Sequence, residues 1–219
     1  MFKSVEIPVE LIDVVEEVPV LSPNPAQVTF LAELIESGEE LQPIFVFPKG
    51  DRYILVDGIN RLEAHKLKGI STIKATLVDL ADVSLDEIIF LPEIYPRHKV
   101  NQDRVEFFAE LMRCGQKFPL IFTTKSEDGF VLLDGKHRLD AFRKAGITTI
   151  KICVLDNPEE PWLLTYTAFN LYGATPYSTK EIHSLITNAF ERGLGAREIA
   201  EQLNFPISYI HRVIENDDI

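Results

Sequence analysis

At 219 residues, with 46% hydrophobic and 26% charged residues and a mean hydropathy of +0.03, the chain has the length for one or two properly cored domains and the composition of a soluble globular protein. A net charge of −12 and an isoelectric point near 4.9 argue against broad nonspecific attraction to nucleic acid, because phosphate neutralisation by Lys and Arg supplies most of that affinity; a localised basic surface stays open. No stretch approaches the roughly 18 apolar residues of a membrane span, and Met1–Glu6 carries no basic segment leading into an apolar run. Cys114 and Cys153 lie too far apart for a paired zinc spacing. The expectation is a cytoplasmic protein without a bound metal of its own.

In chain order, Val5–Val9 and Val18–Leu21 are strand-like fragments broken by proline, suited to sheet edges. Ser22-Pro23-Asn24-Pro25 is a turn leading into a helix over 26–37. Phe45–Phe47, a turn at Lys49-Gly50-Asp51 and Tyr53–Val56 form a hairpin. A helix from about Asn60 to Lys68 and a strand over Ile73–Val78 follow. Val83–Ile89 is open between helix and strand.

The pattern then starts again. Residues 53–78 align without a gap on residues 130–155, with eleven of 26 positions identical, which points to an internal duplication. Its reach is wider: Pro43-Ile44-Phe45 matches Pro119-Leu120-Ile121, and Phe30–Leu34 matches Phe107–Leu111. Each copy reads helix, glycine (Gly38 or Gly115), strand, hairpin, strand, Asp-Gly turn, helix, glycine, strand. Cys153 stands where the first copy has Thr76, inside a strand, and reads as a buried inert thiol.

The turn between strand and helix is where chemistry is expected. Val131–Leu133 breaks at Asp134-Gly135, and Leu139, Phe142 and Ala145 then recur at helical spacing. The unpaired N–H groups of that first helical turn lie beside His137 and Arg138, a place for an anion such as a phosphate. A cation there opposes the helix dipole by roughly 0.3–1 kcal/mol. Arg138 therefore calls for a negative partner, which is either Asp134 one turn back, or a bound phosphate, or both. Lys136, His137, Arg138, Arg143 and Lys144 make one basic cluster, with Arg97, His98 and Lys99 as another; a solvated helix face is the plain alternative. The first copy has Ile59-Asn60-Arg61 where the second has Lys136-His137-Arg138, so it lacks a charge and a titratable group. Any chemically active turn is expected in the second copy.

Asp156–Pro161 is a polar, proline-rich boundary, beyond which strand signals stop. Trp162–Leu171 reads as a helix. Ser178 with Glu181 three residues on is a capping box, opening a helix that Gly193 ends. Gly195–Leu203, a turn at Asn204-Phe205-Pro206, and Ile207–Ile214 have helix-turn-helix spacing, with small Ala200 letting the helices approach and Ile210 and Val213 facing inward. Such a second helix would offer Ser208, Tyr209, His211 and Arg212 to a DNA major groove. The acidic Glu215, Asp217 and Asp218 that follow suit a packing or protein-contact role equally well.

Gln42-Pro43-Ile44, the Asp-Gly turns followed by Asn-Arg or His-Arg, and the glycine-closed helices resemble the ParB/sulfiredoxin family, specifically its ParB N-terminal domain. The resemblance spans most of residues 1–155 and implies a mixed α+β fold: two tandem ParB/sulfiredoxin-like units (1–79 and 80–156), then a small helical helix-turn-helix domain (157–219). It implies nucleotide phosphates at Asp134, Gly135, Lys136, His137, Arg138 and Arg97, with Asp57, Gly58, Asn60 and Arg61 as the degenerate counterpart. The sulfiredoxin branch needs a cysteine where this chain has Lys136 or Ile59, which disfavours sulfinic-acid reduction. The resemblance further implies CTP, ATP or ADP, with Mg2+ as an accompanying ion, DNA contact through the C-terminal helices, and homodimer formation. The function implied is a nucleotide- and DNA-binding protein of the partition or transcription-regulator type, with at most slow nucleoside triphosphate hydrolysis. Two enzymatic alternatives stand beside it: a kinase of a small hydroxyl substrate such as free serine, with Glu93 as the base, and a ParB-like nuclease.

Overall fold

The computed structural model describes residues 4–92, 100–155, 178–203 and 205–216, which divide into two compact units. The larger contains two five-stranded sheets. The first is built from β1 (Ser4–Pro8), a 3-10 turn at Val9–Leu11, β2 (Ile12–Asp13), α1 (Pro25–Glu36), β3 (Ile44–Lys49), β4 (Arg52–Asp57), α2 (Ile59–Leu67) and β5 (Thr72–Leu77), with strand order β1-β5-β3-β4-β2. The second is built from β6 (Asp79–Ser84), a 3-10 turn at Leu85–Glu87, β7 (Ile88–Ile89), α3 (Gln102–Arg113), β8 (Ile121–Ser126), β9 (Gly129–Asp134), α4 (Lys136–Lys144) and β10 (Thr149–Leu155), in the order β6-β10-β8-β9-β7.

The two sheets share one plan. In each, the hairpin strands are antiparallel, the outer strands β1 and β6 pair antiparallel with β5 and β10, and the two-residue strands β2 and β7 run parallel to β4 and β9. Even the hydrogen bond that ties each 3-10 turn to the residue before the neighbouring strand recurs, from Val9 N–H to Ser71 O and from Leu85 N–H to Thr148 O, both at 2.9 Å. Asn24 and Asn101 cap α1 and α3 with their side-chain oxygens, and Pro25 fills the first position of α1, where no N–H is needed.

Two details depart from the sequence expectations. Val18–Leu21 forms no strand; the edge pairing falls to Ile12–Asp13, because Pro19 has no N–H to give a ladder. The proline alignment at the hairpins is also one residue out. Phe45 stands opposite Asp57 and Phe122 opposite Asp134, so Ile44 corresponds to Ile121 rather than to Leu120. Backbone pairing fixes that register, whereas Pro43 and Pro119 lie outside the strands and are free to differ.

Ile7, Ile12, Ile44, Val46, Leu55, Ile59, Leu62, Ile73 and Ala75 form the core between the first sheet and α2. Consecutive buried residues in β4 and β9 show that both faces of each sheet are covered. On the face away from α2, Phe45 meets Phe122, ring centroids 5.1 Å apart and planes at 63°. Each of these residues precedes a register irregularity in its hairpin, after Phe45 and after Phe122, the kind of bulge that re-aims a side chain. Residues holding the same place in the two sheets thus touch one another, which is the contact pattern of an isologous pair. An edge-to-face aromatic pair contributes about 0.5–1.5 kcal/mol beyond burial. A double-mutant cycle on Phe45→Ala and Phe122→Ala, read by urea unfolding, should return a coupling of that size; additivity of the two losses would show that the rings are not coupled.

The smaller unit holds α5 (Thr179–Glu191), α6 (Ala196–Leu203) and α7 (Ile207–Asn216). Ser178 and Glu181 form the expected capping box. Leu185, Ile186, Ala189, Ile199, Ala200, Leu203, Ile210 and Val213 make its core. The expected helix over Trp162–Leu171 lies outside the described residues.

Candidate functional site

β9 ends at Asp134, and the chain reverses into α4 through Gly135, whose φ of +105° and ψ of 25° suit glycine alone without strain. A second reason lies in the packing. A Cβ at Gly135 would fall 2.6 Å from Ile121 Cγ2 and 3.2 Å from Arg138 Nε; at Gly58, with the same φ, it would fall 2.6 Å from Ile44 Cγ2. The helix start is therefore pressed against the first residue of the neighbouring strand in both sheets.

Arg138 makes that contact a clamp. Its Nη1 donates to Pro119 O at 2.7 Å and Leu120 O at 2.6 Å, and its Nη2 donates to Asp134 Oδ2 at 2.6 Å. Arg61 repeats the arrangement on Gln42 O, Pro43 O and Asp57, the last at a looser 3.3 Å. Of the two partners that Arg138 called for, the carboxylate is in place. Lys136 pairs with Asp140 one turn along, and both side chains are largely covered.

His137 performs a different task. Its Nε2 accepts the backbone N–H of Asn101, the residue that caps α3, at 3.0 Å. In the first sheet Asn60 Oδ1 accepts the N–H of Asn24, which caps α1, at 2.8 Å, and Asn60 Nδ2 donates to Gln27 at 2.6 Å. Neither Asn24 nor Asn101 stood out in the sequence as a partner of the turn, although each occupies the same place 36 residues before it.

The basic cluster is divided among separate duties. Arg143 Nη2 reaches Leu85 O at 3.3 Å, Lys144 pairs with Glu106, and Arg113 Nη2 holds Lys144 O at 2.8 Å. Glu93, Arg97, His98 and Lys99 lie outside the described residues. Cys153 is buried, and burial pushes its thiol well above the usual range, with the carboxylates of Asp57 and Asp79 adding to the effect; it is neither a nucleophile nor a ligand at neutral pH. Among the described residues there is no group of three His, Cys, Asp or Glu side chains placed to hold a metal ion, and no helix is long and apolar enough to cross a membrane.

On α7, Ser208, His211 and Arg212 are exposed, while Tyr209 is half-buried against the helical core. Tyr209 is held from three sides. Its hydroxyl lies 3.1 Å from His183 Nε2, the Phe205 ring sits 5.4 Å away edge-on, and the Arg212 guanidinium lies over its ring at 5.3 Å. Three of the four residues expected to face DNA thus share an open surface, and the fourth anchors the helix that presents them. His183 was invisible in the sequence, since only the packing of α5 on α7 brings it to Tyr209.

Comparison with known proteins places residues 2–91 in a match to the ParB N-terminal domain family model. That span includes Asp57–Arg61 and excludes the Asp134–Arg138 turn. The probable chromosome-partitioning protein ParB of Helicobacter pylori is 37% identical over 86 residues, which is 39% of this chain and 30% of the relative. Its Campylobacter jejuni counterpart is 36% identical over 106 residues, 44% of this chain and 38% of the relative. The chain thus spans less than two fifths of the length of either. Among solved structures, a C-terminally truncated Caulobacter crescentus ParB complexed with CTP-gamma-S is similar at 17% identity and a TM-score of 0.39, over 62% of this chain and 77% of that one. Sulfiredoxin from Arabidopsis thaliana is similar at 28% identity and a TM-score of 0.30, over 34% of this chain and 83% of its own. The family-model match and the two ParB relatives support the ParB/sulfiredoxin-like family.

Proposed function

We propose that the chain is a ParB-like nucleotide- and DNA-binding protein of the partition or regulator type. Two tandem ParB-like units, 1–79 and 80–156, precede a helix-turn-helix domain over 157–219. The observation that carries this reading is the match of residues 2–91 to the ParB N-terminal domain, joined by two ParB relatives at 37% and 36% identity.

In this reading the nucleotide phosphates lie at the start of α4. The amides of its first turn point outward along the helix axis, and the dipole favours a negative group there. Lys136 is the side chain placed to meet them, with its ammonium paired to Asp140 on its own helix, whereas Arg138 is spent on two carbonyls and Asp134. A triphosphate would replace Asp140 as the partner of Lys136, and Mg2+ would offset the charge that Asp140 then adds. Arg138 holds the cradle in shape. Ser208, His211 and Arg212 would contact DNA from α7, with the Tyr209–His183 bond fixing its angle.

Labelled CTP and ATP binding tests the cradle. One of them should bind, and Lys136→Ala should weaken it about tenfold or more; equal affinity in wild type and variant would remove the site from α4. Mobility shift at rising salt tests the helices: Arg212→Ala should lower the salt slope by about one if that residue neutralises one phosphate.

A further inference from the structure

The bond between His137 and Asn101 carries a consequence for proton binding. A backbone N–H can only donate, so Nε2 of His137 must present its lone pair to Asn101, and the ring in this arrangement is neutral with its proton on Nδ1. The same bond in the first sheet ends on the amide oxygen of Asn60, which does not titrate. We propose that His137 is a proton-operated latch between the start of α4 and the start of α3. Neutral, it holds the Asn101 amide; protonated, it turns an N–H toward an N–H and lets α3's first turn go.

The surroundings sharpen the switch. His137 stands in the first turn of α4 and faces the cap of α3, so two helix starts, both disfavouring positive charge, bear on one ring. The charged groups of α4 around it are Lys136, paired with Asp140, and Arg138, paired with Asp134 at the end of β9. From α3 come Asp103 and Arg104. The backbone N–H of Arg104 is bound by Asn101 Oδ1, and its guanidinium lies over Phe108 at 5.1 Å. Lys136 and Arg138, the cations on either side of it, are thus each matched by a carboxylate, and histidine is the side chain whose charge changes between pH 5 and 8. Asn101 uses its side chain to cap α3 and its own N–H to hold the latch. Opening the latch therefore frees the residue on which the α3 cap depends. An anion at the α4 start would be the counter-ion that favours the protonated ring, which makes latch opening and anion binding linked events.

The test uses the full ligand-free chain. In an NMR titration from pH 8 to 5, the amide signals of Asn101 and Arg104 should move with the same midpoint as the His137 ring. Hydrogen-exchange protection of the first turn of α3, corrected for intrinsic rate, should fall about tenfold across that midpoint, while the Asn24–Val28 turn keeps its protection. His137→Asn, which installs the oxygen acceptor used by the first sheet, should abolish the change and leave the first turn of α3 protected at both ends of the range. Asn60→His should transplant the response to Asn24. An Asn101 amide that stays still while His137 titrates would overturn the proposal, as would a His137→Asn variant with the same pH response. Because no measurement involves nucleotide, a failure to bind CTP or ATP would leave these results unchanged.

Discussion

Replacing Gly135 with alanine should cost about 3–5 kcal/mol of stability, far more than a surface glycine turn would lose. Two terms add. A non-glycine residue at φ +105° carries backbone strain of roughly 1–3 kcal/mol. The new methyl would fall 2.6 Å from Cγ2 of Ile121, a residue with no solvent exposure and hence no direction in which to yield, and overpacking of that kind costs roughly 1–3 kcal/mol. The chain supplies its own control. Gly115 has a φ of +85° but nothing within 4 Å of a prospective Cβ, so Gly115→Ala should lose only the backbone term, about 1 kcal/mol. Gly58→Ala, pressed on fully buried Ile44, should match Gly135→Ala. Urea unfolding of the three variants decides the matter: a Gly135→Ala protein as stable as Gly115→Ala would mean that the tight approach of α4 to β8 is not maintained in solution.

The second large effect is expected at Arg138. Arg138→Met should lose about 2–4 kcal/mol, because the change leaves two backbone carbonyls just before β8 and a carboxylate without their donor while filling the same space with apolar atoms. The figure sits below the full loss for a buried pair because Asp134 remains 35% exposed and keeps some water. Arg61→Met should lose about half as much, since Asp57 is 55% exposed and its contact is 0.7 Å longer, 3.3 Å against 2.6 Å. Thermal or urea unfolding of both variants provides the check, and a loss at Arg61 equal to that at Arg138 would contradict the ranking. The result also bears on ligand assays. An Arg138 variant that fails to bind phosphate will have lost the shape of the turn as well as a charge, which is why Lys136→Ala is the cleaner probe.

Much of this architecture could be read before any coordinates. The short apolar run Tyr53–Val56, the helical spacing of Leu139 and Phe142, the glycine closing each helix and the Ser178–Glu181 box all act within a few residues, where local geometry decides the outcome. The recurrence of one stretch at 77 residues carried the second sheet. What stayed hidden was long-range. The sequence placed Arg138 in a helix's first turn and asked for a negative partner, but its two carbonyl acceptors sit 18 and 19 residues away in the loop that leads into β8. Spacing along a helix gives the face a side chain occupies; it does not give the groups arriving from another element. His137 shows the same limit, because a charged patch and a neutral hydrogen-bond acceptor look alike until Asn101 is in place. The proline alignment erred for a related reason: Pro43 and Pro119 are loop residues, and register belongs to the ladder.

The contact of Phe45 with Phe122 has one more implication. When identical chains associate through a shared face, each substitution is felt on both sides at once, and the association fades on dilution. Here the partners are joined by a peptide chain, so their encounter is governed by an effective concentration in the millimolar range that no dilution changes, and each side is free to vary alone. Thr76 opposite Cys153 in the alignment, and Asn60 opposite His137, are differences that a symmetric pair could not have sorted onto separate halves. Covalent linkage thus permits a division of labour: one half can remain indifferent to protons while the other responds to them.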